Sequence, residues 1–225
     1  MKLLSATTNS WIYYVIFAII IALFIAVIIL FILHKKYAAK MFNRSVWRRL
    51  YNLVQNQDWY LLNDVVINTE SNALHISHLL VANKYVYVIA SRYYENDLKG
   101  DSFTCQHWKV IDKNQVFLRQ VSNPVAFNER RTVCLAKFLG WNATKSPMFI
   151  SIVVINDSSD VIIEDTSISP QSYIIHKKDL VRLIKKIEKE SDVPPLDEKS
   201  LDKLIPRLHR LSIDNKNQSN QGQNF

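Results

Sequence analysis

The sequence predicts one transmembrane helix followed by an α/β domain, and three observations support this fold class. Residues 11–33 form an uninterrupted apolar stretch near the N-terminus. After it, short apolar runs rich in Val, Ile and Tyr alternate with segments of helical periodicity, an arrangement typical of a mixed sheet flanked by helices. The rest of the 225-residue chain is long enough to bury a single core.

The apolar stretch predicts a membrane span. It reads "WIYYVIFAIIIALFIAVIILFIL" and carries no charge, whereas about 20 apolar residues are enough to cross a bilayer as a helix. A cleaved signal peptide would have an apolar region of about 7 to 15 residues. A buried core helix would need cover for a charge-free surface all round, which a small domain rarely provides. We therefore interpret residues 11–33 as a transmembrane helix.

The charges beside this span predict its orientation. Lys2 is the only charged residue before the span. The residues after it are strongly basic, namely His34, Lys35, Lys36, Lys40, Arg44, Arg48 and Arg49. Because basic flanks stay on the cytoplasmic side, we expect residues 1–10 outside the cell and the main domain in the cytoplasm. Residues 34–44 are then a basic juxtamembrane linker that contacts membrane lipid, in preference to a nucleic-acid patch.

The predicted domain covers residues 45–190 and begins with a helix and three strands. Apolar residues recur at helical spacing after Ser45, so a helix is expected to begin near that residue. Three apolar runs typical of strands follow it, at residues 58–67, 72–82 and 85–92, with a turn at 68–72. We expect these three strands to be neighbours in one sheet.

The second half of the domain predicts a hairpin, two helices and two strands. Residues 102–111 and 115–121 are weaker strand candidates that would turn around residues 112–114. Asn123 and Pro124 are typical of a helix start, and that helix is expected to pack on the sheet and run to about Leu139. The continuous apolar run at 148–156 indicates a buried strand, 160–164 a shorter one, and a last helix begins near Asp179. Beyond it, residues 191–225 comprise an amphipathic piece that Pro206 interrupts and a polar, disordered tail.

Glycine and cysteine are scarce, and this excludes several classes of site. Gly100, Gly140 and Gly222 are too far apart for a dinucleotide fingerprint or a phosphate-binding loop. Cys105 and Cys134 are too few for a disulfide framework or a zinc knuckle, and they are typical of reduced thiols. We therefore expect no cofactor and no cysteine-based zinc site.

Several short strings follow one another in the predicted order of elements. They are "HISHLLVA" (75–82), "YVYVIASR" (85–92), a following Trp108, and "NPV" (123–125) at the start of the second helix. Together these strings and the order of elements resemble the nuclease-related domain family. The alternative is that "YVYVIASR" is an ordinary core strand and that the match is accidental. The resemblance implies a restriction-endonuclease-like fold, a mixed sheet flanked by helices, over about residues 45–190.

The resemblance also implies that the catalytic positions of the family are degenerate here. Family members are thought to bind a divalent metal through an Asp and a Glu, with a Lys beside them; these positions correspond to Ser77, Ala90 and Arg92. Serine offers one neutral oxygen, alanine offers none, and arginine cannot act as a base. Phe127 stands where members often have Gln, and the first helix lacks its usual glutamate. The sequence thus predicts a pseudo-nuclease.

The expected function is a membrane-anchored binding or scaffold module, with nucleic acid as the expected ligand through Arg92. Two alternatives remain: an active Mg²⁺-dependent nuclease that uses relocated carboxylates at Glu95 and Asp97, or a scaffold that binds only proteins. The sequence names no protein partner. His75 and His78 face opposite sides of a strand, and the pair Cys105 and His107 has no second pair nearby, so neither predicts a metal site.

Overall fold

The computed structural model describes residues 4–68, 73–141, 148–165, 171–197 and 201–210. The chain forms two compact units, Met1–Met41 and Phe42–Phe225. One long helix, α1 (Leu4–Val54), begins in the first unit and ends in the second. Within it, Tyr13–Leu30 has a mean hydropathy of 3.1 and no buried residue, so this helix is long and apolar enough to cross a membrane or to serve as a signal sequence.

The predicted helix start near Ser45 is wrong, because α1 continues without interruption through residues 34–44. That stretch contains neither Pro nor Gly, and its Lys, Ala and Met residues favour helix. Ser45 is an interior residue whose hydroxyl donates to the carbonyl of Phe42 at 2.7 Å. A serine side chain that bonds to the preceding turn does not cap a new helix.

The second unit contains the strands and the remaining helices. Its described strands are β1 (Tyr60–Asn68), β2 (Ala73–Val81), β3 (Val86–Arg92), β4 (Asp97–Ser102), β5 (His107–Ile111), β6 (Phe117–Ser122), β7 (Phe149–Ile155), β8 (Val161–Asp165) and β9 (Ser172–His176). Its described helices after α1 are α2 (Pro124–Phe138), a 3₁₀ turn (Lys177–Asp179), α3 (Leu180–Glu190) and α4 (201–210).

The strands form two sheets. The first has the order β1-β2-β3-β7-β9, antiparallel from β1 to β3 and parallel from β3 to β9. The prediction of three neighbouring strands before the hairpin is therefore confirmed. The second sheet has the order β6-β5-β4-β8, and it includes two strands that were predicted as the hairpin. Strands β4 and β9 were not predicted.

The hairpin between β5 and β6 depends on one aspartate. The carboxylate of Asp112 accepts hydrogen bonds from the backbone nitrogens of Asn114 at 2.9 Å and Val116 at 2.8 Å. Gln115 adopts a positive φ of 62° in this turn. The expected hairpin around residues 112–114 is thus confirmed, as are the strands predicted at 148–156 and 160–164.

The helices after the first also follow the prediction, except at Pro206. Helix α2 begins at Pro124 after an Asn123 cap, and α3 begins at Leu180. Pro206 does not interrupt α4, since residues 201–210 are helical throughout. Burial of Leu204 and Leu208 in the core offsets the backbone hydrogen bond that proline removes. The predicted disordered tail, residues 211–225, and most of the turn at 68–72 lie outside the described residues.

Strand β3 is the centre of the core. On one face of the first sheet, Tyr87 and Ile89 pack with α1 and α3 side chains such as Leu50 and Ile184. On the other face, Val86 and Val88 pack with α2 and α4. Because β3 is covered on both faces, its residues are apolar up to Ala90, and its polar residues come at its carboxyl end.

Candidate functional site

The three positions that the resemblance singled out are Ser77 in the middle of β2 and Ala90 and Arg92 at the carboxyl end of β3, where the pairing of the two strands stops. Antiparallel pairing of these strands ends with His78 opposite Ile89, so Ser77 and Ala90 are the next residues on the two strands. Ala90 is buried and lies beside Val153 of β7. Arg92 is half-buried at the last position of β3. The polar residues of β3, Ser91 and Arg92, therefore lie at its carboxyl end.

A pocket lies at this carboxyl end of β3. Its volume is about 350 Å³, and it is lined by Arg92, Tyr93, Tyr94, Val121, Ser122, Pro124 and Phe127. The lining thus comes from the end of β3, the end of β6 and the first turns of α2. Within this described set, none of the side chains is acidic.

A second arginine contacts Phe127, although it is not itself one of the residues that line the pocket. Arg131 follows Phe127 by one helical turn, and its guanidinium carbon lies 4.5 Å from the centre of the phenyl ring. The guanidinium carbon of Arg92 lies 6.0 Å from the same ring centre. Both distances are within the range of a cation–π contact. Phe127 therefore holds two positive charges near each other.

Burial and charge repulsion both act on Arg131. Its residue exposure is 8%, and it has no hydrogen bond or ion pair with any residue that the structure describes. The buried Nε of Arg131 has no hydrogen-bond acceptor among the described residues. Burial, and then the charge of Arg92, lower the pKa of Arg131 to about 10. The guanidinium remains protonated at neutral pH, so an anion near it would be strongly favoured.

A third arginine adds to the positive potential. Burial raises the pKa of the Tyr94 hydroxyl, and the charges of Arg92 and Arg119 oppose this rise. Arg119 is exposed on β6, the strand whose end lines the pocket. Arginine guanidiniums suit phosphate because they present several donors in a rigid plane. The pocket at the carboxyl ends of β3 and β6 can therefore hold a phosphate group.

The asparagine of "NPV" has a structural role. The side-chain oxygen of Asn123 accepts hydrogen bonds from the nitrogens of Val125 and Ala126, which caps α2. Its side-chain nitrogen donates to the carbonyls of Phe103 at 2.7 Å and Cys105 at 2.8 Å. Asn123 is buried and uses all its polar groups internally. It fixes where α2 begins, and thereby where Phe127 and Arg131 lie.

Asn128 fixes the helix against the sheet. Its side-chain nitrogen donates to the Val88 carbonyl at 2.8 Å and to the Ser151 hydroxyl at 2.9 Å. These two hydrogen bonds join α2 to β3 and β7, which are neighbours in the first sheet. Neither Asn128 nor Arg131 was singled out from the sequence. The one available signal was the four-residue spacing of Phe127 and Arg131, which places both on one helix face.

The other residues considered from the sequence lie elsewhere. Glu95 is exposed, and neither it nor Asp97 lines the pocket. The Asp97 carboxylate accepts a hydrogen bond from the Asp160 nitrogen at 2.9 Å. His75 bonds to Asp64 and His78 to Asn63, while Cys105 bonds to backbone carbonyls including that of His107. In the described part of the chain, no three His, Cys, Asp or Glu side chains are grouped as a metal site would require.

Comparison with known protein families decides the relationship that these elements suggest. The model of the nuclease-related domain matches residues 38–156, which is more than half of the 225-residue chain. The chain belongs to the nuclease-related domain family. The matched segment includes the end of β3, the hairpin and all of α2, and it ends just after β7. No curated protein and no solved structure matches the chain.

Proposed function

We propose that this nuclease-related domain is a membrane-anchored binding module for nucleic acid that has lost hydrolytic chemistry. The observation that carries the proposal is that Arg92 and Arg131 both lie near the ring of Phe127, at a pocket whose described lining contains no carboxylate. Such a site attracts a phosphate anion and repels a divalent cation. The domain then has a restriction-endonuclease-like fold.

Loss of chemistry follows from the residues at the family positions. A Mg²⁺ ion must exchange part of its hydration shell for oxygen ligands, and carboxylates supply them best. Ser77 contributes one neutral oxygen and Ala90 none. Arg92 stands at the family's lysine position, and Arg131 adds a second positive charge beside Phe127, so the charges described here do not favour a divalent cation. The carboxylate of Asp97, a candidate replacement ligand, already accepts a hydrogen bond from the backbone nitrogen of Asp160. The degenerate positions therefore leave binding without cleavage.

Retention of binding follows from the same arginines. Lys and Arg contacts to phosphates supply most of the nonspecific affinity of proteins for nucleic acids. Arg92 lines the pocket and contacts the ring of Phe127, so its guanidinium is placed to meet a phosphate that enters there. This distinguishes it from Arg182 on α3, whose guanidinium lies 2.7 Å from Asp179.

The experiment is a binding titration of the full-length chain in detergent micelles with a fluorescent oligonucleotide at several salt concentrations. Arg92→Ala should weaken binding about tenfold and reduce the slope of log affinity against log salt by about 1, because one phosphate contact is lost. Arg182→Ala is the matched control, since it removes the same charge from the opposite face of the first sheet. Equal effects of the two substitutions would contradict a site at Arg92.

The same samples test the loss of chemistry. With Mg²⁺ or Mn²⁺ added, the oligonucleotide should remain intact, because the positions that would hold the metal supply no anionic ligand. Cleavage that EDTA abolishes, and that is lost in the double variant Glu95→Ala, Asp97→Ala, would establish the active nuclease with relocated carboxylates. Absence of both binding and cleavage would favour a scaffold that binds only proteins.

Membrane anchoring rests on the apolar helix and its basic flank. Tyr13–Leu30 is apolar over a length that matches a bilayer, and Lys2 alone precedes it while a cluster of positive residues follows it. The domain is then cytoplasmic and the N-terminus outside. We expect the protein to stay with membranes after a high-salt wash and to be released by detergent, because a spanning helix is insensitive to ionic strength. Release of the intact chain by salt alone, or recovery of a chain cleaved after the apolar stretch, would contradict the anchor.

A further inference from the structure

The pocket beside Arg92 has aromatic walls as well as basic ones. Tyr93, Tyr94 and Phe127 all line it. Phe127 is 40% exposed, although it is a large apolar side chain near the start of a packed helix. An exposed aromatic ring beside arginines adds little to the binding of a phosphate backbone alone. It does offer a flat surface on which a base can stack.

The phenyl ring is held in place by its neighbours. Arg131 lies against it at 4.5 Å, and Arg131 is itself nine-tenths buried. Asn128, next to Phe127 in the chain, bonds to β3 and β7 and fixes that turn of α2. A ring that is already ordered loses little conformational entropy when a ligand stacks on it.

The wall contributed by β6 continues the same chemistry. Val121 and Ser122 line the pocket, and the strand before them carries Phe117 and Arg119 on exposed positions. Phe117 is 58% exposed. Aromatic and arginine side chains interleaved along a surface are the usual means by which proteins bind unpaired nucleotides. In a duplex the faces of the bases are stacked on one another, so these rings would gain no contact.

We propose that the pocket receives one unpaired base, so that the domain selects single-stranded nucleic acid over duplex. Phe127 stacks on the base and Arg92 binds the adjacent phosphate, while the buried Arg131 adds positive potential beside the ring. The pocket volume of about 350 Å³ is near the lower end of the range of small-molecule sites, roughly 300 to 1,000 Å³, which suits one nucleotide. This inference rests on the proposed function and adds the strandedness of the ligand and the residue that reads it.

The test compares single-stranded and duplex oligonucleotides of the same length with the full-length chain in detergent micelles. We expect the single strand to bind at least about tenfold more tightly than the duplex at equal salt, since stacking on an aromatic ring is available only to unpaired bases. Phe127→Ala should weaken single-strand binding about tenfold and change duplex binding by less than about twofold. Phe127→Leu keeps an apolar side chain but removes the ring, and it should show the same loss.

Two further variants separate stacking from folding. Phe127→Trp keeps an aromatic face and should bind the single strand as the unmodified chain does. Phe138→Ala removes an exposed phenylalanine at the other end of α2 and should have no effect on either ligand. Circular dichroism of each variant should match that of the unmodified chain. If Phe127→Leu is folded and binds the single strand normally, the inference is wrong.

The outcomes distinguish this inference from the function on which it rests. If Arg92→Ala weakens both ligands while the Phe127 variants weaken neither, the domain binds phosphate without reading strandedness, and only the inference fails. Equal affinity of the unmodified chain for both ligands has the same meaning. If neither oligonucleotide binds, the proposed function and the inference fail together.

Discussion

The two faces of the first sheet differ in whether a buried charge is paired inside the protein. On the face covered by α1 and α3, the hydroxyl of Tyr87 donates to the Glu188 carboxylate at 2.8 Å. The backbone nitrogen of Lys84 donates to the other oxygen of the same carboxylate at 3.0 Å. On the face covered by α2, the described contacts give Arg131 a phenyl ring but no anion.

This difference separates structural polar groups from groups available to a ligand. A buried polar group that is paired inside the protein contributes to stability, and removing its partner costs the full desolvation of what remains. A buried charge without an internal partner is costly to the fold and is expected where a ligand supplies the partner. The comparison therefore predicts that substitutions on the α3 face change stability, whereas those near Arg92 change binding.

The largest expected effect on stability concerns His78 and pH. Its Nδ1 bonds to Asn63 at 2.7 Å, and its buried Nε2 has no described partner. Burial lowers the pKa of His78 from 6.5 to about 4, with Asp64 opposing the shift and His75 adding to it. The unfolded chain therefore binds the proton more readily, so stability should decrease as pH falls from about 6.5 to 4, by up to about 3 kcal/mol.

The measurement is urea unfolding of the full-length chain in detergent at pH 7, 5.5 and 4.5. His78→Gln should flatten the loss of stability over this interval, because glutamine does not titrate. His107→Gln is the matched control, since His107 is exposed on β5 and its replacement should leave the pH dependence unchanged. A chain whose free energy of unfolding is constant between pH 7 and 4.5 would show that His78 is not held neutral by burial.

Much of the fold could be predicted because its central strands are strongly apolar. The runs that form β3 and β7 predict buried strands without further information, and Asn123 with Pro124 predicts the start of α2. Strand β4 could not be predicted, since "DLKGDS" is polar and becomes a strand through pairing with β5 and β8. The unbroken α1 was missed because apolar residues recur at helical spacing after Ser45 and predict a new helix, whereas the Ser45 hydroxyl bonds back to Phe42 within one helix.

The candidate site was predictable only in part. Arg92 could be predicted, because it ends the apolar strand "YVYVIASR", one of the segments that resemble the family. Arg131 could not, because its four-residue spacing from Phe127 places it on the same helix face but does not predict that it, rather than the exposed Arg130, is buried. Its burial depends on how α2 packs across β3 and β7, which Asn128 determines through bonds to residues distant in the chain. Long-range packing of this kind is not encoded in a short motif.

A smaller effect on stability is expected on the α3 face. Glu188→Ala removes the acceptor of the Tyr87 hydroxyl and of the Lys84 nitrogen, and it should destabilise the chain by about 2 kcal/mol, since a buried donor is left without a partner. Burial raises the pKa of Glu188 and the two hydrogen bonds oppose this rise, so the carboxylate depends on these donors. The same urea unfolding experiment at pH 7 measures the change, with no change in oligonucleotide binding.

Two variants show whether this loss comes from the hydrogen bonds. Glu190→Ala, on the exposed side of α3, should cost less than about 0.5 kcal/mol because its contact with Lys186 is a surface ion pair. In the combined variant Tyr87→Phe, Glu188→Ala, the hydroxyl that lost its acceptor is also gone, so the total loss should be smaller than the sum of the two single losses. Strict additivity would mean that Tyr87 and Glu188 stabilise the fold independently. A loss of oligonucleotide binding in Glu188→Ala would mean that the α3 face is not purely structural, and the contrast between the two faces would then fail.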